Sequence, residues 1–253
     1  MIKTLWFAVF YAVIGLSQKT VASAPDPFVI YTYHDKPPYY SRTPVTSGSA
    51  SEYTVEGLYP DFIGRLSELL QRPIEIQYLP RRRLEQRLKA HILDGAVIGV
   101  NPVWFKDKDR KTFLWTEAFM QDRDVVAVRH DDDLSYNHPN DLIARTVTVP
   151  RGYYLWGVSE NIKSKKQRAI LTSSELQSLK LIATKRADAT IISEKTLQHM
   201  IETTFRPGMF KVLPVAHDSF DRHFLFPKQY RDDYELFNSA IQKLINSPPE
   251  PTN

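Results

Sequence analysis

Along the chain, short runs of β-branched and aromatic residues alternate with longer stretches whose apolar positions recur every three or four residues. The first pattern predicts strands and the second helices. Strands are expected at residues 28–33 (FVIYTY), 74–79 (IEIQYL) and 95–100 (GAVIGV). Between them fall a helix opening at Pro60 and Asp61, with Phe62, Leu66, Leu69 and Leu70 on one face, and a helix opened by Pro80, with Leu84, Leu88 and Ile92 on one face. A loop rich in Pro, Ser, Thr and Gly is expected over residues 35–54. After a strand at 124–130 the cycle repeats: a capped turn at 139–144, a strand at 145–150, a serine-capped helix carrying Leu176, Leu179 and Ile182, a strand at 187–193 and a helix at 194–203. Strands in FKVLPV and at 223–227 precede a last helix at 230–245, with Leu236, Phe237, Ala240, Ile241, Leu244 and Ile245.

Two successive strand–helix cycles predict an α/β fold of two lobes, with parallel strands joined by crossover helices. Ligands of such sheets sit beyond the carboxyl ends of the strands, where the loops after Tyr33, Leu79, Val100, Pro150 and Ile192 would meet. The first of these loops, within YTYHDKPPYYS, offers Tyr33, Tyr39 and Tyr40, stiffened by Pro37 and Pro38. The loop after Val100 offers the Asn101 amide and the Trp104 ring. The loop after Pro150 offers Arg151, which can fork onto a carboxylate, Gly152, which permits close backbone approach, and the Tyr153 ring. Aromatic walls with a few directional polar groups are what a small-molecule cleft requires.

The N-terminus changes the picture of where the chain works. MIK, the uncharged apolar run at 4–16 and a polar small-residue stretch read as a secretory signal peptide over residues 1–24. The run is shorter than the roughly 20 residues that span a bilayer. The chain has no cysteine, so its exported form is held by packing alone, and a periplasmic location is expected. Of 33 basic residues, Lys3 and Lys19 leave with the leader, so 31 stand against 29 acidic ones. That near-balance removes the case for a nucleic-acid partner. PRRRLEQR (80–87) then reads as a solvated helix face.

The order of segments resembles the bacterial extracellular solute-binding proteins of family three, with the periplasmic-binding-protein-like type II fold. FVIYTYHDKPPYY resembles that family's first strand and Pro-aromatic loop. GLYPDFIGRLSELL, which carries Tyr59, resembles its Gly-x-x-x-Asp helix. LPRRRLEQRLKAHILDGAVIGV resembles its second helix and strand, where an arginine at the position of Arg83 is usual. FLWTEAF, NDLIARTVTVPRGYY and ATKRADATIIS resemble its hinge entry, the opening of its second lobe and its Asp-Ala strand. The resemblance implies lobe one at 25–122 and 224–248, lobe two at 123–223, crossing strands near 118–128 and 212–226, and a cleft that closes by a hinge. It also implies a monomeric solute-binding protein that serves an ABC permease or a membrane sensor without metal or cofactor.

Two positions depart from the family's amino-acid binders. Arg110 lies one residue out of register with the lobe-one arginine that takes a ligand carboxylate. The aspartate expected five residues after Asp188 is Ser193, with Glu194 next. The expected ligand is therefore a small polar or aromatic molecule other than a standard α-amino acid. No G-x-S-x-G elbow, cysteine nucleophile or H-E-x-x-H pair is present. HDDDLSYNHPND lacks the glycine and terminal glutamate of a calcium loop and reads as a solvated turn, with Asn140 or Asp141 as a helix cap. The enzymatic alternative is a dehydratase of the cyclohexadienyl type, with Glu117, Glu194 or His34 as acid or base.

Overall fold

The computed structural model describes residues 26–44 and 53–247. The leader read at 1–24, and the part of the first loop at 45–52, lie outside these residues. In chain order the first elements are β1 (Phe28–Thr32), β2 (Ser41–Pro44), β3 (Tyr53–Glu56), α1 (Leu58–Leu70), β4 (Ile74–Tyr78), α2 (Arg81–Lys89), β5 (Ala96–Val100), β6 (Leu114–Trp115) and β7 (Met120–Arg129). They are followed by β8 (Thr146–Pro150), α3 (Val158–Lys163), β9 (Arg168–Thr172), α4 (Glu175–Ala183), β10 (Ala189–Ser193), α5 (Glu194–Thr203), β11 (Phe210–Phe226) and α6 (Arg231–Asn246). Single 3-10 turns sit at Pro102–Phe105 and Pro139–Leu142.

One sheet runs through the molecule in the order β4-β1-β5-β11-β7-β10-β8-β9, with β6 beside β11. The outer strands of each half are parallel, as the crossover pattern requires. The centre is not: β7 and β11 run antiparallel to each other and to their neighbours, so the sheet is mixed. The two segments expected as separate strands after residue 209 form one strand of 17 residues, whose first part pairs with β7 and whose last part pairs with β5 and β6. Bulges between Val212 and Ala216 and between Ala216 and Asp218 bend it from one lobe into the other.

The period-2 alternation of the strands accounts for four apolar clusters, two on each half of the sheet. In lobe one Ile30, Ile98, Phe224 and Phe226 face α1 and α6, while Tyr31, Val97 and Leu225 face Leu84 and Leu88 of α2. In lobe two Val126, Val128, Val147 and Ile191 pack on one face, while Val125, Ala127 and Ile192 meet α4 and α5 on the other. Two layers of helix over one sheet give the two-lobed α/β fold.

Several local expectations need correction. Ile92 does not join the core face of α2, because the helix ends at Lys89 and leaves Ile92 66% exposed. On α1 the buried face is Tyr59, Ile63 and Leu66, and Leu69 turns outward; Leu236 and Ile245 of α6 are likewise exposed. The first loop contains a hairpin, β2 with β3, whose polar residues gave no strand signal. The strand β9 and helix α3 were also missed, since both are short and half polar. The cap of the turn at Pro139–Leu142 is His138, which accepts from the Asn140 amide while Asp141 accepts from the His138 amide. The acidic run before it is no free turn: Asp132 is buried and pairs with Arg129 and Arg145.

A second buried carboxylate shapes the segment that follows β5. Asp107 accepts from the amides of Lys111, Thr112 and Phe113 and from Trp115 Nε1, at 2.8–3.0 Å. Burial alone would raise its pKa, but the bonds from Trp115, Thr112 and Phe113 hold it below the ordinary aspartate value. Asp107→Ala should lower stability by about 2–4 kcal/mol in urea unfolding, since four donors lose a charged acceptor. The contribution of Asp107 is present above the unfolded-state pKa and disappears as pH falls through the ordinary aspartate range toward the depressed folded value.

Candidate functional site

The first loop is pinned to the start of α1. The amides of Leu58 and Tyr59 donate to the carbonyls of Pro38 and Tyr39, at 2.8 and 2.9 Å. Gly57 permits this approach: it has φ +119, and a Cβ there would stand 2.5 Å from the Pro38 carbonyl oxygen. The loop therefore drives Tyr39 and Tyr40 inward, where they are 0% and 1% exposed.

Tyr39 enters a buried polar hub at the centre of the molecule. Arg222 of β11 donates from Nε and Nη2 to Asp122 of β7, at 3.1 and 2.7 Å. Its Nη1 donates to Tyr59 Oη at 3.2 Å and to the Gly99 carbonyl at 2.9 Å. The Tyr39 hydroxyl donates to Asp122 and lies 2.6 Å from Ser193 Oγ, and its ring lies 4.4 Å beneath the Arg222 guanidinium. Gly99, at φ +78, lets Tyr59 close in, because a Cβ would fall 2.1 Å from its hydroxyl. Burial works against the charge on Arg222, but Tyr59, Tyr39 and Asp122 hold its pKa above the ordinary value. Burial pushes the Tyr59 phenol up to about 12. Lobe one, both crossing strands and lobe two thus all contribute to one satisfied network.

Beside this hub the two lobes face each other across the Lys36–Glu175 pair. From lobe one come Tyr33 and His34, with ring centroids 4.1 Å apart, then Trp104, 6.2 Å from His34 and 4.9 Å from Phe220 of β11. From lobe two come Asp124, Tyr153 and Glu175. Lys36 of the first loop crosses the gap to bond Glu175 Oε1 at 2.9 Å, with Tyr39 and Tyr153 rings 5.5 and 5.8 Å from its ammonium. Burial, followed by the charges of Arg222, Lys36 and Arg81, pushes His34 well below the ordinary histidine pKa, so the ring is neutral. Burial raises the Asp124 carboxyl to about 6, against the pull of Lys36 and Arg222. Outside this gap the surface is indented at the hinge, about 380 Å³ beside Arg123, Glu194 and Phe220, and on lobe one, about 530 Å³ beside Leu88, Phe105 and Phe113.

Of the residues expected at the site, Tyr33 and Trp104 flank His34 on lobe one, and Tyr153 stands by Lys36 from lobe two. Tyr39, Tyr59 and Ser193 belong to the hub, and Ser193 also caps α5. Tyr40 is a core residue, which corrects its expected place as a ligand face. Tyr39 and Tyr59 are corrected likewise, since neither ring has accessible surface. Arg83 is exposed on α2; the arginine that turns to the aromatic wall is Arg81, stacked 4.8 Å over Tyr33 and 3.9 Å over Phe105. Asn101 is committed to structure, accepting from the Val103 amide and donating to the Asp221 carbonyl. Arg151 and Gly152 are exposed at the rim. Glu117 is exposed, and Glu194 pairs with Arg123 on the hinge surface.

Asp122, Arg222, Lys36, Asp124 and Glu175 were missed. A signal existed for three of them: counted in twos, Asp122 and Asp124 share a face with Val126, and Arg222 shares one with Phe224 and Phe226, so these charges occupy core register. Asp122→Ala should leave Arg222 buried without its partner and cost about 3–5 kcal/mol in urea unfolding. Arg222→Met in that background should recover part of the loss.

No protein-family model matches the sequence, and no curated protein matches it. Solved structures do. An ancestral arginine-binding protein bound to arginine has a TM-score of 0.66 at 14% identity, covering 86% of this chain and 92% of that one. Holo ArgBP from T. maritima has a TM-score of 0.64 at 18% identity, with 87% and 91% covered. The amino acid ABC transporter substrate-binding protein AbpA from Streptococcus pneumoniae, bound to L-arginine, has a TM-score of 0.63 at 14% identity, with 86% and 88% covered. The chain has the fold of these two-lobed substrate-binding proteins.

Proposed function

We propose that this chain is an exported, periplasmic solute-binding protein that captures a small polar or aromatic molecule between its lobes and presents it to an ABC permease. The observation that carries the reading is the meeting of Lys36 and Glu175 from opposite lobes beside the Tyr153 ring. A gap lined by apolar faces and by ionic groups from both lobes suits a ligand that joins the lobes on closure. Lobe one spans about residues 25–122 and 224–248 and lobe two about 123–223, so that one boundary falls within β7 and the other within β11. The protein acts as a monomer, and a membrane sensor is the alternative recipient.

The ligand is not a standard α-amino acid. The arginines inside the cleft are already engaged, Arg222 with Asp122 and Arg81 with Glu85 and the Trp104 carbonyl, and Arg151 lies out at the rim. Ser193 is turned into the hub. A dehydratase reading has one observation in its favour, the neutral, buried His34 with an unpartnered Nδ1.

A thermal-shift panel of aromatic acids, amines, peptides and organic acids should yield a compound that raises Tm without being consumed. Turnover of that compound would favour the dehydratase, and sub-micromolar calorimetric binding of any of the common amino acids would overturn the ligand assignment. Lys36→Met should enlarge the radius of gyration of the free protein in small-angle scattering. An unchanged radius would mean that the ion pair does not hold the lobes together.

A further inference from the structure

The groups facing the cleft divide unevenly into donors and acceptors. The cationic donors inside it are engaged, Lys36 by Glu175, Arg222 by Asp122, Tyr59 and Gly99, and Arg81 by Glu85 and the Trp104 carbonyl, while Arg151 stands exposed at the rim. The acceptors are not all used. Asp124 lies two residues from Asp122 on β7, so its side chain leaves the strand on the same face, toward the cleft. Among the described residues its carboxylate has no hydrogen bond or ion pair. His34 is 9% exposed, and its Nδ1 has no partner; with the ring proton on Nε2 that atom is an acceptor. The charges divide in the same way, because the pairs of Arg222 with Asp122, Arg81 with Glu85 and Lys36 with Glu175 cancel, and Asp124 is left over.

We propose, building on the solute-capture reading, that the cleft selects a small organic cation without a neighbouring carboxylate, an amine or guanidine that bonds Asp124 and His34 between the rings of Tyr33, Trp104 and Tyr153. A carboxylate would find no unengaged cation among these groups and would stand against Asp124. An ammonium or guanidinium supplies the missing charge and the missing donors, and the aromatic faces hold it by cation–π attraction.

Binding is linked to pH through Asp124. The charged groups facing it are Lys36 from the first loop and Arg222 from β11, which favour the carboxylate, and Asp122 and Glu175, which oppose it. Its cross-strand partner Asp218 turns its own carboxylate to the Ser219 amide, and His34, Tyr33 and Tyr153 are neutral. Below about 6 the acid is protonated and the cation's anchor is lost. Because the folded pKa lies above the unfolded one, the free protein also loses stability as pH rises from the ordinary aspartate range through that value.

The test is calorimetry of the full chain with matched probes: agmatine against arginine, tyramine against tyrosine, and benzoate as an anion. Agmatine or tyramine should bind at least about tenfold tighter than its amino-acid counterpart, and more tightly at about pH 7.5 than at about pH 5. Asp124→Asn should weaken that amine by about tenfold or more and raise the Tm of the free protein at about pH 7.5, which shows that the variant is folded. Binding of benzoate or the amino acids in preference to the amines would overturn the cation assignment while leaving solute capture intact. Amine binding unchanged in Asp124→Asn would overturn it as well. Silence from every probe would overturn it too, and solute capture would then rest on the wider thermal-shift panel.

Discussion

The ion pair between Asp122 and Arg222 is the constraint around which the molecule is arranged. Two charges removed from water are stable only when their remaining hydrogen-bonding capacity is filled. Here it is filled from four places: the first loop through Tyr39, α1 through Tyr59, β5 through the Gly99 carbonyl and the end of β10 through Ser193. Each supplier is thereby placed. The first loop cannot swing away without taking one donor from Asp122, and β5 must carry glycine where Tyr59 approaches. The aromatic cleft wall inherits this order, since Tyr33, His34 and Lys36 hang from the same short loop.

The hub also divides the tyrosines by role. Tyr39 and Tyr59 look in sequence like sticky surface for a ligand, yet their hydroxyls are spent on Asp122 and Arg222. Tyr33, a few residues before Tyr39, and Tyr153 on the other lobe carry similar rings and stay partly exposed. No property of the side chain separates the two classes. What separates them is whether the backbone before them turns toward α1 or along the strand end.

This explains how far the sequence could be read. Long amphipathic periods placed α1, α4, α5 and α6, and β-branched runs placed β1, β4, β5, β8 and β10, because burial of one face leaves a period in the residues. The loops beyond the strand ends drew attention to Tyr33, Trp104 and Tyr153, which stand where the two halves of the sheet face each other. The antiparallel centre of the sheet was hidden, since a strand's partner is a long-range choice that its own residues do not record, and the continuity of β11 came from the family resemblance, through its crossing at 212–226, and not from the residue pattern. Short, half-polar elements such as β9 and the hairpin of β2 and β3 left no period to count. Lys36 and Glu175 were hidden for another reason: they resemble any surface charge until the fold shows what stands opposite them.

The passage of β11 through both lobes has a consequence for how the chain acquires its structure. Lobe two is built from one uninterrupted stretch, β7 to the first part of β11, and its contacts are complete once that stretch exists. Lobe one is not: Val97 of β5 pairs with Leu225, and the cluster around Phe28 is closed by Phe226 and Phe237. Its sheet waits for the far end of the chain. During synthesis, the N-terminal strands therefore remain without their central neighbour until almost the last residues arrive, which makes them the segment most in need of protection from aggregation.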